Sequence, residues 1–190
     1  MIKAKSPQHF AFLTKYAIHD KHYDAREHIM DRINSPTNRI GLNHRYAAHP
    51  HFGDEHRDAL MQRFSKEDGD FDIPENAFPN GIKPEHQKIL EDHINGTTIT
   101  QSPHLLKHVS NGKAMELFDK YGILHKMTII DQRPDVARHV LDTSDRGTVY
   151  QRAIRSPHAT REDLEKATKS GDSMVVKTAR DRLSNMEKES

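Results

Sequence analysis

Fifteen of the 190 residues are histidine, and imidazole is the side chain best suited to metal ligation and to proton transfer near neutral pH. His49, His51 and His56 fall within eight residues, and His104 and His108 stand at i, i+4, a spacing that can set two ligands on one helical face. His49 and His51 flank Pro50, however. The corresponding prolines Pro79 and Pro157 are flanked by Phe78 and Asn80 and by Ser156 and His158. A recurring structural joint therefore accounts for these imidazoles without a metal.

Two other patterns name a chemistry and then depart from it. Asp68, Asp70 and Asp72 alternate as in the first half of a calcium-binding hand, but Ile73 stands where the turn glycine belongs and Pro79 where the bidentate glutamate belongs. They read as a solvated acidic loop and as candidate partner-binding residues. His19-Asp20 is the dipeptide at the centre of HD phosphohydrolases, yet the earlier histidine and distant aspartate of that pattern do not accompany it. The chain has no cysteine, no tryptophan, no phosphate-binding glycine loop and no nucleophile elbow. We expect a non-enzymatic protein with no metal and no cofactor.

Composition narrows the class further. Lys and Arg number 29 against 28 Asp and Glu, a formal charge of +1, so no broad electrostatic field draws the chain to nucleic acid or membrane. Hydrophobic residues make up 34% and mean hydropathy is −0.89, which suits helical layers with one wet face each. No apolar run approaches the roughly 18 residues that span a bilayer, and the first residues lack a signal peptide's apolar centre. Without cysteine a reducing cytoplasm is the expected compartment.

The elements that must position these residues read as short helices. Ser6-Pro7 opens one helix; Ile29, Met30 and Ile33 stripe a second; Leu42, Tyr46 and Ala47 a third, which His49-Pro50 closes. Helices follow at 55–64, 85–94, from Ser102-Pro103, and at 114–120. Four more cover 135–141, 146–155, 161–168 and 174–183. Residues 65–84 hold two glycines, three prolines and the acidic cluster, and read as a long loop.

The strongest pattern is recurrence. A shift of 107 positions pairs Asp24 with Asp131, Arg26 with Arg133, Arg39 with Arg146, Arg45 with Arg152, Pro50 with Pro157, His51 with His158 and Glu55 with Glu162. Ile29, Ile33 and Leu42 meet Val136, Val140 and Val149 in the same register. A shorter echo at 26 positions pairs Val149 and Ala153 with Val175 and Ala179. The expected organisation is N-terminal repeats at 1–64, a loop-rich insertion with one helix at 65–101, C-terminal repeats at 102–185 and a flexible tail at 186–190.

Arginine, a small apolar residue, proline, an acidic helix start and then leucine resemble HEAT-like repeats and the all-helical variant leucine-rich repeat. Similar arrays occur in proteins of large tailed phages. The resemblance is clearest at 39–60 and 135–183. It implies an all-α, irregular α-solenoid, a right-handed stack of helical hairpins, whose surface binds a macromolecular partner, most naturally a protein. If the origin is a phage, the compartment is the host cytoplasm. By analogy Arg39, Arg45, Arg146 and Arg152 lie on the concave side, facing an acidic partner or a phosphate backbone. Alternatively, they bridge to acids of neighbouring repeats.

Overall fold

A computed structural model describes residues 24–35, 42 and 44–188. The expected helix from Ser6, the His19-Asp20 pair and Arg39 lie outside the described residues. Among those described, every regular element is helical and there is no strand. The chain divides into two compact units at Ser102/Pro103.

In the first unit, α1 (Arg26–Asn34) carries Ile29 and Ile33 at i, i+4, both fully buried, and stops at Ser35 ahead of Pro36. One turn, α2 (His44–Ala47), leads through the Pro50 joint into α3 (Asp54–Lys66). Asp54 and Glu55 in its first turn oppose the positive end of the helix dipole. Leu60, Met61 and Phe64 form its buried side. α3 packs against both α1 and α4 (Pro84–His93), which begins with proline at its first position.

A sharp reversal ends α3. Asp68 and Gly69 take φ values of 48° and 82°, and the Gly69 N–H returns to Phe64 O at 2.9 Å. A Cβ on Gly69 would lie 2.2 Å from His93 O, so only glycine fits. The connection to α4 holds one 3₁₀ turn, Glu75–Ala77. It is a loop in backbone but not in burial: Phe71, Ile73, Ala77 and Phe78 all belong to the core. α5 (Gly96–Gln101) is a helix the pattern did not announce, since Gly-Thr-Thr-Ile-Thr is a poor helix former. The Asn95 side chain accepts the Thr98 N–H at 3.0 Å, and Ile99 is buried, which together outweigh propensity.

The second unit opens with a 3₁₀ helix at Pro103–His108 and continues through α6 (Asn111–Lys120), α7 (Ile123–Gln132), α8 (Pro134–Thr143), α9 (Gly147–Arg155), α10 (Arg161–Ala167) and α11 (Ser173–Lys188). α9 packs against α7, α8 and α11, and α10 against α11. Its core includes Leu106, Leu117, Ile130, Val136, Leu141, Tyr150, Ile154, Leu164 and Val175. Each such aliphatic side chain contributes about 1.5–3 kcal/mol on burial. Helices of 9 or 10 residues are too short to persist alone in water, so stacking is what makes them helical. α11 runs on through Ser184 to Lys188, past Leu183 and into the segment expected as a flexible tail.

Candidate interaction surface

The Pro50 and Pro157 joints share two backbone hydrogen bonds. In the first, the His49 N–H bonds to Tyr46 O at 3.1 Å and the Phe52 N–H to His49 O at 2.9 Å. In the second, the Ser156 N–H bonds to Ala153 O at 3.2 Å and the Ala159 N–H to Ser156 O at 3.3 Å. Each pair is related by the 107-residue shift. The side chains do equivalent work with different chemistry. His49 Nδ1 accepts the His51 N–H at 3.2 Å, whereas Ser156 Oγ accepts the His158 N–H at 3.3 Å.

The following helix repeats the contrast. His56 Nδ1 accepts the Gly53 N–H at 3.0 Å, and Asp163 Oδ2 accepts the Thr160 N–H at 2.8 Å. Both residues occupy the third helical position and reach back to the residue that caps the helix, as in a capping box. His56 is fully buried, stacks on Phe52 at 5.5 Å, and its Nε2–H donates to Arg26 O at 3.0 Å. These contacts fix the neutral tautomer with its hydrogen on Nε2. Asp163 is instead gripped by Arg138 through two bonds of 2.9 and 2.6 Å. That hydrogen bonding holds its carboxyl at about 2, well below the usual carboxylate value, and raises the Arg138 guanidinium above its own.

The acidic loop is not a free cluster. Asp68 Oδ1 lies 3.1 Å from His93 Nδ1, Asp70 Oδ1 accepts from Asn95 Nδ2 at 3.2 Å, and Asp72 Oδ1 accepts from Ser102 Oγ at 2.5 Å. These bonds tie the loop to the α4–α5 corner of its own unit. Asp68 nevertheless keeps a side chain 91% exposed. Asp68 and Asp70 are exposed, as a solvated loop requires, but the partners of the three acids lie 25 to 30 residues away and leave no mark in the local sequence.

Of the arginines, Arg152 is engaged within its own unit: its guanidinium grips Asp131 on α7 with two bonds, one of 2.8 Å from Nε to Oδ1. Arg146 precedes α9, is exposed, and comes no closer than 4.0 Å to Asp145. Arg45 is exposed on α2. His104 and His108 sit on a 3₁₀ helix, whose three residues per turn do not align i with i+4. Burial, above all, pushes the His108 imidazole down from its ordinary value. No group of three or more His, Asp or Glu among the described residues is placed to hold a metal ion.

Sequence reasoning missed two sets of residues. The first is a series of arginines that cap helix ends from another element. Arg63 Nη1 donates to Ile33 O and Ser35 O at 2.9 and 3.0 Å. Arg182 Nη1 donates to Ile154 O and, at 2.8 Å, to Ser156 O. Arg133, 6% exposed, donates to Leu106 O at 3.0 Å, Val109 O at 2.5 Å and Asn111 Oδ1 at 2.6 Å, and pairs with Asp135. The second set faces solvent. A groove of about 530 Å³ runs along α11, lined by Ser170, Ser173, Val176, Lys177, Arg180 and Asp181. Met174 on the same helix is 55% exposed. Among the described residues no carboxylate lies within ion-pair distance of Lys177 or Arg180, nor of the exposed Arg155 on α9. Comparison with family models, curated proteins and solved structures finds no match for the chain.

Proposed function

We propose that this chain is a non-enzymatic binding module, a HEAT-like helical array that presents a repeat surface to a protein partner. The two backbone bonds that recur in the joint at a spacing of 107 support the array reading, because a duplicated hairpin unit reuses its own corner. The groove on α11 carries the functional part of the reading. Arg133, Arg138, Arg152 and Arg182 are consumed by bonds inside their unit, whereas Lys177 and Arg180 are exposed on the helix that also exposes Met174. Cations with no ion pair among the described residues, on a helix that also exposes a methionine, suit a partner segment that is acidic and carries an apolar anchor.

Binding of nucleic acid is the second reading, favoured by 16 Lys and Arg against 13 Asp and Glu in residues 103–190. Arg152 weighs against it, since Asp131 already occupies the guanidinium that a phosphate would need. Asp181 in the groove adds repulsion.

The test compares capture of partners from the native cell by the wild-type chain and by the Lys177→Glu/Arg180→Glu variant, with nuclease treatment in parallel. The proposal expects a protein retained after nuclease and lost at least tenfold with the variant. Retention that vanishes with nuclease, together with steeply salt-dependent DNA or RNA binding, would transfer the assignment to nucleic acid. Equal capture by both chains would remove α11 from the interface.

A further inference from the structure

We propose that the joint at His49–Gly53 is a proton-operated fastener: on gaining a second proton the His51 and His56 rings exchange backbone N–H groups for carboxylates, releasing the start of α1 while the second unit's joint holds.

The geometry of the neutral state is closed on both sides. His51 Nδ1 accepts the Ala25 N–H at 3.3 Å, the residue just before α1. His56 Nε2–H donates to Arg26 O in the first turn of α1, while its Nδ1 accepts the Gly53 N–H at the start of α3. Two imidazoles thus tie the beginning of α1 to the corner that precedes α3. An imidazole gains its second proton between about pH 5 and 8, and that proton goes to the nitrogen now used as acceptor. Nδ1–H would then face a backbone N–H, donor against donor, and the bond is lost.

Each ring has a carboxylate ready to receive the new donor. Asp24 Oδ1 is 3.6 Å from His51 Nδ1, and Glu55 Oε1 is 3.8 Å from His56 Nδ1. Both carboxylates are exposed, with side chains 62% and 60% accessible, so either can move to meet an imidazolium. The other charged neighbours oppose the proton. Arg26 on α1 already holds Asp24 at 3.0 Å, and the Arg57 guanidinium lies 5.2 Å above Phe52, the ring on which His56 stacks. His49 adds a third imidazole, 5.3 Å from His51, whose Nδ1 also accepts a backbone N–H. On α1 itself burial pushes the His28 imidazole below its ordinary value, with Asp31 and Arg32 nearby.

The second unit serves as an internal control. Ser156 and Asp163 make the bonds that His49 and His56 make in the first, and neither changes charge between pH 5 and 8; His158, at the place of His51, bonds to Ser156 Oγ through its backbone N–H and not through its ring. The feature is independent of any partner, and partner binding by α11 can fail without touching it.

Amide hydrogen exchange of the full chain, followed residue by residue at pH 7.5 and pH 5.0 and corrected for intrinsic rates, tests the proposal. Protection at Ala25, Gly53 and along α1 is expected to fall about tenfold or more, as for loss of a helix cap and a backbone tie. Protection at Thr160 and Asp163 is expected to stay within about twofold. The His51→Asn/His56→Gln variant keeps an acceptor at each Nδ1 position and, through glutamine, a donor toward Arg26 O. It is expected to abolish most of the pH response, which separates these rings from His28. Equal loss at both joints, no loss at either, or a full response surviving in the variant would each overturn the proposal. Should the variant not fold, the wild-type contrast between Gly53 and Thr160 decides alone.

Discussion

At its proline joint the first unit bonds through the rings of His49, His51 and His56, whereas the second bonds through Ser156 and a salt-bridged Asp163, its own His158 entering by its backbone N–H. The backbone hydrogen bonds at the corner are common to both, so the corner is dictated by the chain reversal and not by any one side chain. What differs is the condition under which each corner survives. The first depends on rings staying neutral. The second depends on one carboxylate staying ionised, a requirement that fails only far below neutral pH. Ten of the fifteen histidines lie in residues 1–102, so the contrast extends to composition.

The most drastic way to break the comparison is to remove the arginines that tie helix ends within each unit. Arg133→Leu leaves two buried carbonyls and Asn111 without their donor, and Asp135 without its guanidinium. We expect a loss of about 3–5 kcal/mol in denaturant unfolding. Arg63→Leu frees two carbonyls in the first unit and deprives Glu67 of its partner; about 1–3 kcal/mol is expected there. If Arg63→Leu costs as much as Arg133→Leu, the two units rely on these ties equally and the contrast between them is confined to the joints.

Acid separates the joints next. Asp163 sits at about 2 when folded against 3.8 ordinarily. Its ionised form is the one the fold prefers, so the stabilisation is complete above about pH 4 and is lost as pH falls from 3.8 toward 2. Asp163→Asn should therefore cost on the order of 2 kcal/mol at pH 7 and almost nothing near pH 2. Two other groups act at higher pH with the same sign. Burial depresses His28 in the first unit and His108 in the second below their ordinary 6.5, so the stability they confer is present above that value and declines as pH drops beneath it. An unfolding midpoint measured from pH 2 to pH 8 on wild type and Asp163→Asn checks this; parallel curves at every pH would mean that Asp163 is not the group titrating.

Much of this architecture is legible in the residues, and the failures have physical reasons. The 107-residue recurrence could be read because Pro50 and Pro157, and the buried Ile29, Ile33, Val136 and Val140, are imposed locally by helix periodicity and by proline sterics. α7 escaped because Ile123, Leu124, Met127, Ile129 and Ile130 spread apolar residues around the helix instead of along one stripe. Ile129 and Ile130 are buried while Leu124 is 71% exposed. The loop after α3 misled in the opposite sense. Phe71 and Ile73 alternate over too short a run to register, yet both are core residues. Arg133 was legible as a repeated position and not as a buried tie, because Leu106 O and Val109 O lie 27 and 24 residues away and leave no mark in local sequence. Which cations of α11 lack an ion pair among the described residues is invisible for the same reason, since only tertiary contacts decide which of them are spent.

The mildest test tries to convert one joint into the other. Thr160 caps α10 with its hydroxyl, which accepts the Asp163 N–H at 3.3 Å while also donating to Asp163 Oδ2 at 2.8 Å. Gly53 holds the matching place before α3 and has no side chain to offer. Its backbone is extended, with φ −106° and ψ −170°, and nothing lies within 4 Å of where a Cβ would stand. A threonine therefore fits without strain, and its hydroxyl meets the His56 N–H that now bonds only to Gly53 O at 3.2 Å. Gly53→Thr should add roughly 0.5 kcal/mol, partly from the cap and partly from the narrower unfolded ensemble. Thr160→Ala should subtract about 1 kcal/mol. Because the new hydroxyl is indifferent to pH, Gly53→Thr should also retain more of its stability at pH 5 than wild type does. A gain that disappears at pH 5 would show that the imidazole of His56, and not the missing hydroxyl, sets the strength of the first joint.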